Sequence, residues 1–127
     1  MGQYLIDNNV ISNYFSELFA EKAMSFISEV IDEVPNVSVI TQIEALSWVN
    51  PDKDKEKTVR DFIQDANVLT LSVPIVSQCV ALRRSRKIKT PDAIIAATAI
   101  VYDFTLVTSD TGFNNIPGLK VIDPGSM

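Results

Sequence analysis

Asp7, Glu44, Asp92 and Asp110 each stand at or just past the end of an apolar run or at the mouth of a helix. In a wound α/β protein the carboxyl ends of parallel strands open on one crevice, so acids far apart in sequence can meet there. Carboxylates gathered in one place repel one another and raise their pKa values unless a cation neutralises them, so the set predicts a metal site. Oxygen-only ligands favour Mg²⁺ or Mn²⁺. One or two such ions can orient water, help generate hydroxide and stabilise the phosphorus and leaving oxygen of a phosphodiester. The chain has no histidine. That removes Ser-His-Asp and Cys-His nucleophile pairs, His-dependent ribonuclease chemistry and His-rich zinc sites, and leaves hydrolysis to carboxylates. Each acid alone also has a structural use: Asp7 as a helix cap, Asp92 at a helix dipole, Asp110 in a turn, Glu44 facing solvent.

The elements that position these acids follow from apolar periodicity. Residues 3–6 form a short apolar run, the first expected strand, which ends at Asp7-Asn8-Asn9 where polar side chains favour a turn or cap. Apolar residues from Ala23 to Val34 recur at three- and four-residue spacing, predicting a helix over 21–33 that Pro35 ends. Residues 37–40 are β-rich, and Thr41 is the expected cap of a helix that places Glu44 one turn in. Asn50-Pro51-Asp52 breaks that helix, and another follows through Val59, Phe62 and Ile63. Residues 66–71 predict a further strand, and Pro74 opens a helix through Leu82. Thr90-Pro91-Asp92 reads as a helix start, with Thr90 capping, Pro91 in the first position and Asp92 facing the positive end of the dipole. That helix is alanine-rich and apolar nearly all round, so it should be buried. Residues 104–108 and 120–122 complete the strands. Strands alternating with helices predict an α/β fold with a mostly parallel central sheet covered on both faces.

At 127 residues, with 46% apolar and 21% charged content, the chain suits one domain spanning 1–127. No apolar run reaches the length that crosses a bilayer, and Met1-Gly2-Gln3-Tyr4 lacks a basic leader, so the expected location is the cytoplasm, without membrane partners. Cys79, the lone cysteine, reads as a core thiol beside Val80 and Leu82. A net charge of −5 argues against indiscriminate nucleic-acid binding, yet Arg83, Arg84, Arg86, Lys87 and Lys89 form a basic cluster able to hold phosphates. A solvated helix end is its bland reading. Tyr14, Phe62 and Trp48 read as core residues, with an interface role as the alternative.

Four segments together carry a resemblance: Leu5-Ile6-Asp7-Asn8-Asn9-Val10, Thr41-Gln42-Ile43-Glu44-Ala45-Leu46, residues 90–99 (TPDAIIAATA) and Leu106-Val107-Thr108-Ser109-Asp110. Across essentially the whole chain they resemble the successive motifs of PIN-domain ribonucleases, especially VapC-type toxins. The resemblance implies a three-layer α/β/α PIN-like domain that cleaves RNA with Mg²⁺ or Mn²⁺ held by Asp7, Glu44, Asp92 and Asp110. It makes Asn9 and Thr108 or Ser109 the residues that orient this shell. It also implies a homodimer and a small antitoxin partner whose extended segment would cover the crevice; apolar surface on the early helices, near Tyr14, Phe15, Leu18 and Trp48, is the expected anchor for the rest of such a partner. Two positions depart from the family pattern. Asn8 stands where a Thr or Ser hydroxyl is frequent, and Gly112-Phe113 stands where an Asp-Phe-like pair is common, which leaves Asp110 as the fourth acid.

Two other readings compete. A PIN-like module that binds RNA or protein without turnover is motivated by Asn8. A receiver-type signalling domain also has about this length, but it needs a phosphoacceptor Asp after its middle strand, and residues 68–72 end without one.

Overall fold

Alternation of buried side chains along short strands builds this molecule, whose computed structural model describes residues 3–127; Met1 and Gly2, part of the stretch read for a leader, lie outside them. Among the described residues the strands are β1 (Tyr4–Ile6), β2 (Asn36–Ser38), β3 (Asn67–Leu69), β4 (Thr105–Val107) and β5 (Lys120–Ile122). They form one sheet in the order β3-β2-β1-β4-β5, with every pairing parallel. Six α-helices flank it: α1 (Asn8–Phe15), α2 (Glu21–Asp32), α3 (Val39–Leu46), α4 (Lys53–Asp65), α5 (Val73–Ser85) and α6 (Thr90–Tyr102). None is long and apolar enough to cross a membrane.

Successive strand residues point to opposite faces, and the core divides accordingly. Leu5 and Leu106 pack with Ile75, Cys79, Leu82, Ala93, Ala96, Ala97 and Phe113 on the α5–α6 side. Ile6 and Val107 pack with Val10, Ile27, Val37, Val59 and Ile63 on the α1, α2 and α4 side. Two cores on two faces make three layers. Cys79 is buried, as a core thiol should be, and Tyr14, Trp48 and Phe62 are partly buried against the second core.

The chain departs from the sequence expectations at two helix starts. Val39 and Ile40, expected in a strand, already belong to α3, and the cap is Ser38 rather than Thr41: its hydroxyl accepts from Thr41 N–H at 3.1 Å. A hydroxyl positioned to cap overrides the strand preference of two β-branched residues. At α6 the capping position is Lys89, with no side-chain cap bond, so Thr90 is the first helical residue and does not cap. Elsewhere strands are shorter than their apolar runs, because β3 stops at Leu69 and β4 at Val107.

Candidate active site

The carboxyl ends of the central strands deliver two acids. Asp7 follows β1 directly and caps α1, while Asp110 follows β4 and opens a short 3-10 turn, Thr111–Phe113. Glu44 comes from α3 and Asp92 from the first turn of α6. Because β1 and β4 are neighbours with Ile6 opposite Val107, the loops after them are forced together.

Asp7 is the centre of the arrangement and is only 6% exposed. Its Oδ1 accepts from Asn8 N–H at 2.8 Å. Its Oδ2 accepts from Thr108 Oγ1 at 2.8 Å and from Asn9 Nδ2 at 3.1 Å. The Thr108 hydroxyl is saturated, since it also accepts from Asn9 Nδ2 at 3.2 Å and from Asp110 N–H at 3.1 Å. Asn9 Oδ1 accepts from Ser109 N–H at 3.2 Å, which fixes the side chain so that its amide donates toward Asp7. Asn9 and Thr108 therefore both hydrogen-bond the Asp7 carboxylate, whereas Ser109 contributes its backbone N–H to Asn9. The Ser109 hydroxyl is buried and has no hydrogen-bond partner among the described residues.

Burial pushes the Asp7 carboxyl up; the Thr108 and Asn8 hydrogen bonds pull it down, and Asp110 and Asp92 add repulsion. Asp92 is raised by burial and by Asp110, and lowered by Lys89. Glu44 is raised by burial, then by Asp7 and Asp92. Its side chain is exposed overall, so the repulsion from its neighbours is the firmer part of that shift. Each of the four acids thus feels or is felt by others in the set. Among the described residues, however, no three metal-binding side chains close into a cage.

The donor set fits a hard cation. All four side chains offer oxygen, and the three hydrogen bonds to Asp7 leave lone-pair capacity on its carboxylate. Asp123, another acid just past a strand, is engaged in its own turn: its oxygens accept from Gly125 N–H and from the Ser126 hydroxyl. At Gly112, a Cβ would meet Asp110 Oδ1 at 3.1 Å, and the Gly112 N–H donates to that oxygen at 2.8 Å. The missing side chain there lets the turn close on Asp110.

The basic cluster is divided. Arg83 Nε donates to the Ile88 carbonyl and Arg86 Nη1 to the Asn115 carbonyl, so both brace loops; Arg86 Nε is buried without a partner among the described residues. Arg84, Lys87 and Lys89 are exposed. Lys89, read with the phosphate-binding residues, also stands three residues before Asp92, and its charge lowers the Asp92 carboxyl.

The sequence model of the PIN domain matches residues 4–119, and the chain belongs to that family. It is 31% identical to a chain of a toxin–antitoxin complex from Klebsiella pneumoniae, over 95% of this chain and 97% of that one, with a TM-score of 0.75. The DNA-bound VapBC of Salmonella typhimurium shares the fold at 21% identity, covering 98% and 99% of the two chains, with a TM-score of 0.76. FitAcB of Neisseria gonorrhoeae does so at 22% identity, 98% and 99% coverage and a TM-score of 0.72. No curated protein matches the chain by sequence. The receiver-type reading is overturned, since that fold orders its strands 2-1-3-4-5 and this sheet runs 3-2-1-4-5.

Proposed function

We propose that this chain is a Mg²⁺- or Mn²⁺-dependent endoribonuclease and the toxin of a type II toxin–antitoxin pair. The observation that carries the reading is the clamp on Asp7: a nearly buried carboxylate held by Asn8, Asn9 and Thr108 within electrostatic reach of Asp92 and Asp110. Burying one anion among others opposes folding, and such arrangements concentrate where a cation and a reaction use them. Asp7, Glu44, Asp92 and Asp110 would hold the ion directly or through water. When bound, it neutralises the pocket and supplies a more acidic water for attack on phosphorus. Asn9 and Thr108 fix the Asp7 rotamer, and the Ser109 N–H fixes Asn9. Arg84, Lys87 and Lys89 hold the RNA backbone, while Arg83 and Arg86 shape the turn that presents them.

Control by an antitoxin is supported by the Klebsiella pneumoniae complex. An arginine or lysine on the partner's extended segment would pair with the crowded carboxylates and oppose entry of metal or substrate. Leu18, 70% exposed, offers an apolar anchor beside the half-buried Tyr14 and Phe15, with Trp48 on the same core. A cytoplasmic homodimer completes the proposal.

The test pairs cleavage with growth. RNA should be cut by the purified chain in Mg²⁺ or Mn²⁺ and spared in excess chelator, and co-expression with a neighbouring small open reading frame should relieve growth inhibition and yield a bound partner. Undiminished cleavage under chelation rules out the chemistry. Metal uptake without cleavage favours the binding module motivated by Asn8. Cleavage with neither a partner nor growth relief leaves a PIN nuclease that is not a toxin.

A further inference from the structure

Between Asp110 and the basic connection that follows α5 lies a short segment that the metal chemistry does not use. Asp110 opens the 3-10 turn Thr111–Phe113, and Phe113 N–H donates back to the Asp110 carbonyl at 3.3 Å. Phe113 and Ile116 are plugged into the α5–α6 core, only 1% and 4% exposed. The two residues between these plugs, Asn114 and Asn115, stand exposed. Hydrogen bonds hold this tip from both sides. Asn114 N–H donates to the Thr111 carbonyl at 3.0 Å, and Arg86 Nη1 donates to the Asn115 carbonyl at 3.3 Å. The tip is fixed in advance, which spares a recognition surface the cost of ordering.

The two asparagines have different reasons to be there. Asn115 has a φ of 66°, the left-handed region that asparagine enters more readily than most side chains, so its backbone accounts for it. Asn114 has a φ of −68° and a ψ of 146°, which any residue adopts, and its side chain bonds to no other described residue. Nothing in the fold requires an amide at that position. The amide offers an acceptor oxygen beside two N–H donors.

The neighbours determine what such an amide could meet. Arg86, which holds one side of the tip, begins the connection that carries Lys87 and Lys89. Asp110, on the other side, belongs to the acid set. At a rise of about 2 Å per residue, the turn separates Asn114 from Asp110 by roughly 8 Å. An RNA strand held at the lysines, with a phosphate at the acids, would carry a flanking base past Asn114. Single-stranded RNA leaves its base edges open to such contacts. A group that donates and accepts side by side matches adenine, whose N6 donates and whose N7 accepts.

We propose that Asn114 is a specificity-determining residue whose amide pairs with an adenine flanking the cleaved phosphodiester. This rests on the nuclease reading above and narrows its substrate to RNA with adenine beside the cut.

The experiment cuts an RNA with a randomised single-stranded segment in Mn²⁺ and sequences the new 5′ ends. Wild type is compared with Asn114→Ala, Asn114→Asp and Asn115→Gly, their folds checked by melting curves. Wild type should favour adenine at one position next to the cut. Asn114→Ala should lower that preference about tenfold, the weight of one bidentate pair. Asn114→Asp can only accept, so its preference should move from adenine toward cytosine, whose N4 donates. Asn115→Gly keeps the left-handed backbone and the carbonyl that Arg86 holds, and should keep the adenine preference. Adenine preference unchanged in Asn114→Ala overturns the proposal, as does a wild type that favours another base, or none, next to the cut. Equal loss in Asn115→Gly and Asn114→Ala assigns the effect to the shape of the loop and overturns it as well. A wild type that cuts no RNA in Mn²⁺ overturns the nuclease reading instead, so the two failures are told apart.

Discussion

Thr108 shows how much one residue holds. Its hydroxyl donates once and accepts twice, joining Asp7, Asn9 and Asp110 across the ends of β1 and β4. Thr108→Val keeps the shape and leaves three polar partners short of a bond, so it should cost about 1–3 kcal/mol in denaturant-measured stability. It should also lower metal affinity or cleavage about 10- to 100-fold, while Thr108→Ser retains most of both. The acids themselves oppose folding. Asp7 and Asp92 have folded pKa values above their ordinary 3.8, and Glu44 lies above its ordinary 4.5. The folded state therefore binds more protons than the unfolded chain between each ordinary value and the raised one. For these three groups, stability is highest below the ordinary values and declines as pH rises through the raised ones; Glu56, held low by the Asn50 N–H and Lys53, acts with the opposite sign. Melting curves in chelator should accordingly show Asp92→Asn at least as stable as wild type at neutral pH, and Mg²⁺ should stabilise wild type more than the variant. The four acids were legible in the sequence because strand ends and a helix start can be read from periodicity. The Asn9 amide orientation and the bracing roles of Arg83 and Arg86 were not, since each depends on a partner distant in sequence or on a loop carbonyl.

Helix starts set the position of two of the acids, and the two starts differ. Ser38→Ala removes a buried cap at α3 and should cost about 1 kcal/mol in chemical denaturation, with some loss of order around Glu44. Thr90→Ala removes no cap bond and should stay within about 0.5 kcal/mol of wild type. A larger loss at Thr90 than at Ser38 would reverse the assignment of the caps. The sequence could not separate these cases. Val39 and Ile40 continue a β-branched run whose local preference is strand, and only the fold decides that Ser38 turns the chain into a helix. The same ambiguity lengthened the expected strands at residues 66–71 and 104–108. The long helices were clearer: α2 and α4 show apolar periodicity, and the alanines of α6 are buried as its composition demands.

At the scale of the whole molecule, the sheet order places β1 at the centre with β4 beside it, and parallel pairing directs Asp7 and Asp110 to the same edge. Alternation of strand and helix patterns made the parallel α/β class legible in the sequence. Strand order was not, because it depends on packing between elements. The fold also leaves an apolar face outward on α5, where Val73 is 83% exposed and Val76 and Val80 are about half exposed. If the proposed homodimer uses this face, Val76→Lys with Val80→Lys should shift the chain from dimer to monomer in sedimentation without unfolding it; an unchanged dimer moves the interface elsewhere. The central claim is that the clamped Asp7 site cleaves RNA with a divalent ion. Its most direct measurement is the single-turnover cleavage rate of an end-labelled RNA against Mn²⁺ concentration, for wild type and for Asp7→Asn of confirmed fold. The rate should be negligible in chelator, rise to saturation with Mn²⁺ in wild type, and remain near background at every concentration in Asp7→Asn. Equal rates for the two proteins, or cleavage that persists in chelator, would contradict the account.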